Sequence, residues 1–185
     1  MSQIKKQNLA FLDVETTGLN VDVHEIIQIG IVLVSQDWKD NVPYFEVLEE
    51  IDLKIKPERI HMADKTALRI NGYDPSEWIF AYTLSEAMQI VSKKTDGAIM
   101  VGHNVSFDAA FIEKAFRTTG IPNKMHYHKL DTISIAFAKL HGNKDIDQFS
   151  LRVLCQHFGI ENKGVHTGLG DARATFQIYE KFMKS

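Results

Sequence analysis

The period of the hydrophobic pattern changes about a third of the way along the chain, and that change constrains the class of fold more than any single residue does. Up to about residue 56 the apolar side chains alternate or form short Ile/Val-rich runs. Asn8 to Glu15 alternates through Leu9, Phe11 and Asp13; Glu25 to Val34 is nearly continuous; Tyr44 to Lys56 carries Phe45, Val47, Ile51, Leu53 and Ile55. These segments read as three successive strands. Helical patterning follows over Met62 to Ile70, ending near Asn71-Gly72. A second helix, Leu84 to Lys94, is opened by Thr83 with Glu86 three residues on, the spacing of a reciprocal cap. Beyond residue 97 the two patterns alternate: strand Ala98 to Val101, helix Val105 to Thr119 closing at Gly120, strand Tyr127 to Leu130. Helices then cover Thr132 to Leu140, Ser150 to Phe158 and about Gly170 to Lys184. Three adjacent strands followed by strand–helix units predict an α/β fold, a mixed sheet with helices packed on it. No repeat, low-complexity run or Pro/Gly/Ser linker interrupts the sequence, so residues 1–185 read as a single domain.

Polar residues that interrupt this pattern are the candidates for chemistry. Asp13-Val14-Glu15 ends the first strand and is followed by Thr16-Thr17-Gly18. Strand side chains alternate, so both carboxylates point to one side, roughly 7 Å apart at the backbone. Placed so, they can reach two ions about 4 Å apart; a solvent-facing acidic pair at a strand end is the plainer alternative. Gly102-His103-Asn104-Val105-Ser106-Phe107-Asp108 opens the third helix, with Asn104 or Ser106 as its cap and Asp108 in the first turn facing the strand end. The helix dipole alone also explains an acid there, and core packing explains Phe107. His166-Thr167-Gly168-Leu169-Gly170-Asp171 precedes the last helix. A histidine in a glycine-rich loop can take a proton from water near neutral pH while Asp171, fixed on the helix start, binds an ion; an exposed loop histidine and a capping Asp are the structural alternatives.

Taken in order, Asp-x-Glu-Thr, His-Asn-x-x-Phe-Asp and His-x-x-x-x-Asp resemble the DEDDh exonucleases, whose members include the proofreading epsilon subunit of bacterial replicative polymerase. The likeness runs from Ala10 to Glu180, with softer matches at Leu68 to Gly72, Leu130 to Thr132 and Leu151 to Cys155. It implies an RNase H-like fold: a five-stranded mixed sheet, second strand antiparallel, helices on both faces. It implies a metal-dependent 3′→5′ exonuclease acting on the 3′ end of single-stranded DNA or RNA, with DNA preferred. Asp13 would bridge two divalent cations, Mg²⁺ or Mn²⁺; Glu15, Asp108 and Asp171 would complete the ligands, and His166 would be the general base. Thr16 and Leu19 match positions that touch the terminal nucleotide, Leu19 as a wedge; His103, Asn104 and Phe107 match residues around the same pocket. In the tyrosine variant of the family, Tyr stands four residues before the last Asp; here that position is Thr167, and His166 stands five before, which indicates the histidine class.

The third motif also departs from many relatives, which carry a basic residue and then alanine after the histidine where this chain has Thr167 and Gly168. A positive charge beside the scissile phosphate is thereby lost, and Gly168 should loosen the histidine loop. The chain stops with its last helix, without the further segment that docks bacterial proofreading subunits. A free-standing enzyme is therefore expected as much as a DNA polymerase subunit.

Charge and composition do not oppose this reading. There are 24 Asp and Glu against 21 Lys and Arg. With the four candidate ligands set aside the remainder is nearly neutral, which suits a metal-anchored grip on a chain end better than high-affinity coating. No apolar run approaches the roughly 20 residues of a membrane span, and Met1 to Lys6 offers no secretory segment. Cys155, the one cysteine, shares a helical face with Leu151, Leu154 and Phe158 and reads as buried, with a cytoplasmic setting as the default. His126-Tyr-His128 could suggest a zinc pair, but strand alternation accounts for the spacing. The rival classes are a binding domain that keeps the fold without catalysis and an endonuclease of RNase H type.

Overall fold

The computed structural model describes residues 4–162, 164 and 166–184. Its sheet has five strands: β1 (Leu9–Thr16), β2 (Ile26–Lys39), β3 (Val42–Lys54), β4 (Ile99–Gly102) and β5 (Lys129–Asp131), in the order β3-β2-β1-β4-β5. β2 runs antiparallel to both of its neighbours, whereas β4 pairs parallel with β1 and β5. This is the mixed sheet with an antiparallel second strand that the resemblance implies. The helices are α1 (Lys65–Ile70), α2 (Leu84–Lys94), α3 (Val105–Thr119), α4 (Thr132–Leu140), α5 (Leu151–Phe158) and α6 (Gly168–Lys184).

Alternation along β1 divides the core. Ala10, Leu12 and Val14 join one cluster with Met88 and Val91 of α2 and Phe111 and Ile112 of α3. Leu9 and Phe11 join another with Ala172 and Tyr179 of α6. Phe11 is fully buried, its ring edge-on to Tyr179 at 5.3 Å; a side chain so placed contributes roughly 1.5–3 kcal/mol by leaving water. A third cluster, including Ala136, Leu154, Cys155, Ile178 and Phe182, ties α4 and α5 to α6, so Cys155 is buried as expected. Helices therefore cover both faces, and the C-terminal ends of β1 and β4 open on the same edge of the sheet.

Several boundaries differ from the sequence pattern for local reasons. β2 continues past Val34 to Lys39 because it turns back on β3 through Asp40 and Asn41, whose φ values of 52° and 63° suit a tight hairpin. α1 begins at Lys65 rather than Met62, since Asp64 caps it by accepting from the Thr66 N–H; Ile60–Met62 is a separate 3₁₀ turn. β5 begins at Lys129 rather than Tyr127: the His128 N–H donates to His126 Nδ1 at 3.2 Å instead of to a strand neighbour. The reciprocal cap of α2 is present as the spacing predicts, with Thr83 and Glu86 each accepting from the other's backbone N–H. Among the described residues, no helix is long and apolar enough to cross a membrane.

Candidate active site

Asp13 and Glu15 follow Leu9 and Phe11 on the α6 side of β1, where alternation places them. What brings the third carboxylate to them is an unusually close approach of helix to sheet. A Cβ added at Gly30 of β2, which sits opposite Asp13, would lie 2.0 Å from the Gly168 carbonyl carbon. One added at Gly168 would lie 2.8 Å from the Gly30 nitrogen and 3.1 Å from the Asp13 carbonyl oxygen. Only two glycines let the backbones meet at that distance. Gly168 is thus buried in the first turn of α6 and seats the helix on the sheet, which corrects the expectation that it loosens the histidine loop. The helix starts earlier than its apolar pattern because Thr167 caps it, its Oγ1 accepting from the Gly170 N–H at 3.2 Å.

Seated this way, Asp171 meets the β1 pair. Carboxylate oxygens of Asp13, Glu15 and Asp171 lie within 4.8 Å of one another. Asp171 is held by two donors: the Asn162 side-chain amide at 2.7 Å to Oδ1 and the His166 backbone N–H at 3.2 Å to Oδ2. Asp108 is buried in the first turn of α3 and faces the strand end as expected, where its Oδ1 accepts from the Val14 N–H at 3.0 Å. It is not among the three whose oxygens meet within 4.8 Å, and that bond ties one of its oxygens to the β1 backbone.

The electrostatics of this arrangement are unfavourable without a cation. Burial, then the neighbouring Asp108, Asp171 and Glu15 charges, push the Asp13 carboxyl well above the usual carboxylate range. Burial and the Asp171 charge raise Glu15 to about 7, and burial raises Asp108 to about 7 against the opposing Val14 hydrogen bond. Asp171 is also raised by burial, although Asn162 and the His166 N–H oppose it. A bound cation would offset the raising effects of burial and of the neighbouring carboxylates.

Among the other residues singled out from sequence, His166 is exposed with φ 62°, and its side chain lines a recess together with Asp171. Leu19 stands 82% exposed, a large apolar side chain in solvent just beyond the carboxylates. Thr16 is buried, and its hydroxyl donates to the Gly18 carbonyl at 2.8 Å. His103 is partly buried with Nδ1 2.9 Å from the Thr132 hydroxyl, and burial lowers its proton affinity. Phe107 packs on Phe111 with ring centroids 5.0 Å apart. Asn104 adopts a left-handed conformation, and neither it nor Ser106 caps α3 by its side chain. That role falls to Asp131, which accepts from the Val105 N–H at 3.0 Å and from the Ile133 N–H at 2.8 Å, serving α3 and α4 together. His126 and His128 belong to no group of three metal-ligating side chains among the described residues.

Two supporting residues are missed by the sequence reading. Asn162, on the Asp171 carboxylate, lies in a loop whose only visible feature is polarity. Gln28 is buried on β2, donates to Asp52 at 2.7 Å and accepts from the Gly168 N–H at 3.3 Å. An isolated polar residue in an Ile-rich strand was the one available hint of it.

A family model described as exonuclease matches residues 10–179. The 3′-5′ exonuclease DinG of Staphylococcus saprophyticus is 30% identical over 182 residues, covering 94% of this chain and 18% of that protein. The PolC-type DNA polymerase III of Caldanaerobacter subterraneus is 27% identical over 172 residues, covering 93% of this chain and 11% of the polymerase. Among solved structures, Escherichia coli exonuclease I in complex with a dT13 oligonucleotide superposes with a TM-score of 0.76 at 19% identity, covering 95% of this chain and 40% of that one. Its zinc-bound complex with single-stranded DNA gives 0.77, also at 19% identity and with the same coverage. This chain therefore spans under a fifth of these two curated relatives, and the structural likeness bears on fold.

Proposed function

The chain belongs to the exonuclease family, and from that premise we propose that residues 1–185 form one domain that removes nucleotides from the 3′ end of single-stranded nucleic acid, DNA ahead of RNA. The observation that carries the reading is the crowd of carboxylates at the end of β1, three of which bring oxygens within 4.8 Å. Hard oxygen donors whose repulsion a cation would relieve fit a divalent ion such as Mg²⁺ or Mn²⁺. Asp13, Glu15, Asp108 and Asp171 are the residues that would hold two such ions. When bound, divalent ions supply acidification of the attacking water and charge stabilisation at the departing oxygen.

The chain's own groups do the rest. His166, exposed beside Asp171, accepts a proton from the attacking water, while the bond from its N–H to Asp171 Oδ2 keeps base and ligand together. Water oxygen bonds to phosphorus, the bond from phosphorus to the 3′ oxygen of the preceding nucleotide breaks, and a nucleoside 5′-monophosphate leaves. Leu19 wedges against the terminal base, and Thr16, His103, Asn104 and Phe107 form the surrounding pocket. The DinG relative is named as a 3′-5′ exonuclease and the PolC-type relative as a DNA polymerase. The first name supports the direction and the second a DNA substrate, and association with a DNA polymerase belongs to the same proposal.

A gel of 5′-labelled single strands tests it. Stepwise shortening from the 3′ end is expected, abolished by chelator and by Asp13→Ala or Asp171→Ala. His166→Ala should slow turnover by about 10²-fold or more, the usual loss for a general base. Internal cuts, a mobility shift without cleavage, or undiminished hydrolysis by Asp13→Ala would each overturn the reading.

A further inference from the structure

A recess of about 270 Å³ adjoins the carboxylates on the side of α5. Leu151, Cys155 and Ile160 give it an apolar surface, His166 and Asp171 border it, and Arg152 in the first turn of α5 also lines it. Among the described residues, other cations toward this edge are committed. Arg173 holds Glu50 through two hydrogen bonds of 2.8 and 2.6 Å, and Lys54 holds Glu77 at 2.7 Å. Lys114 donates to the carbonyls of Val21 and His24. Arg152 is exposed and makes no ion pair or side-chain hydrogen bond among the described residues. The site thus gathers acids, lacks a basic residue at Thr167 and Gly168, and has a single uncommitted guanidinium on the rim of the recess that Asp171 and His166 share.

We propose that Arg152 is a phosphate-binding residue of this site, taking the non-bridging oxygens of a phosphate next to the scissile bond. The assignment rests on the exonuclease reading above. A guanidinium presents a planar fork matched to two phosphate oxygens, and its aliphatic stem can lie over apolar surface such as Leu151 and Cys155 offer. It restores, from α5, the positive charge that the third motif lacks. The phosphate has two sources, a nucleotide still in the strand or the 5′-phosphate of the released mononucleotide.

Both are tested on the full chain in Ca²⁺, by anisotropy of a 5′-fluorescein oligothymidylate and by competition with thymidine 5′-monophosphate. Arg152→Gln should weaken the phosphate ligand roughly tenfold and reduce the salt dependence of strand binding by about one charge. Arg152→Lys should keep the salt slope. Loss confined to the strand assigns the strand phosphate, and loss confined to the monophosphate assigns the departing one. Tm verifies folding, since an exposed substitution shifts it by no more than about 2 °C. Unchanged affinity and salt slope for both ligands, or no binding of either by the unsubstituted chain, overturns the proposal. Cleavage in Mn²⁺, measured in parallel, judges the exonuclease reading separately: a chain that binds through Arg152 yet never cleaves refutes that reading and leaves this contact standing.

Discussion

Replacing Glu15 with glutamine should stabilise the ion-free protein while removing its activity, and the size of the gain follows from the site. Burial and the Asp171 charge raise the Glu15 carboxyl from an ordinary 4.5 to about 7. Its folded form therefore binds a proton more tightly than the unfolded chain does. By linkage, its contribution to stability is intact below about pH 4.5, falls as pH rises toward 7 and stays low above that. At about 1.4 kcal/mol for each tenfold change in proton affinity, the ionised side chain costs at most about 3.5 kcal/mol at pH 8. Partial solvent contact and salt reduce this to about 2 kcal/mol. Glutamine keeps the shape without the charge. For a chain of this size, about 2–4 °C of Tm accompanies each kcal/mol, so Glu15→Gln should melt roughly 4–8 °C higher at pH 8 in chelator. At pH 5, where native Glu15 is already protonated, the gain should shrink to about 2 °C or less. Adding Mn²⁺ should raise the Tm of the unsubstituted protein and narrow the difference, because an ion that binds the folded state stabilises it. Equal Tm values at pH 8, or the same gain at both pH values, would refute the argument that burial and the Asp171 charge make an ionised Glu15 costly in the ion-free protein.

The close seat of α6 supplies a second prediction. Gly30→Ala places a methyl 2.0 Å from the Gly168 backbone, so it should destabilise the fold by about 1–3 kcal/mol, seen in urea melts, and cost activity out of proportion by moving Asp171 away from Asp13. Loss of stability without loss of activity would show that the helix tolerates displacement. A third concerns Asn162, whose amide fixes Asp171 Oδ1 at 2.7 Å. Asn162→Ala should weaken Mn²⁺ binding about 10–100-fold in calorimetry, as loss of a partner behind a ligand does, with little change in Tm. Unchanged Mn²⁺ affinity would place Asn162 outside the ligand support.

Much of this site was legible before any coordinates, because its logic is one-dimensional. Alternation alone puts Asp13 and Glu15 on the same side of β1; that this is the side of Leu9, Phe11 and α6 is learned from the structure. Spacing alone identifies the α2 cap, since Thr83 and Glu86 need only be three apart. That the sheet has five strands with the second antiparallel came from the resemblance rather than from periodicity, which cannot tell one strand direction from another; the order β3-β2-β1-β4-β5 came only from the structure.

What stayed hidden depends on contacts between segments far apart in sequence. Gly168 reads locally as a flexible link, and only its meeting with Gly30, 138 residues away, turns it into the closest point of packing. Asp131 stands in the sequence only within the soft match Leu130 to Thr132; its bond to the start of α3 exists because β5 lies beside β4. Asn162 and Gln28 each support α6 or its carboxylate from another segment, and no local pattern distinguishes them from ordinary polar residues. The identity of the candidate ligands is thus written in the sequence, while the distances that would make them a site are set by where α6 lands on β2. For that reason a methyl group at Gly30, which touches no substrate and carries no charge, should impair the enzyme more than its cost in stability accounts for.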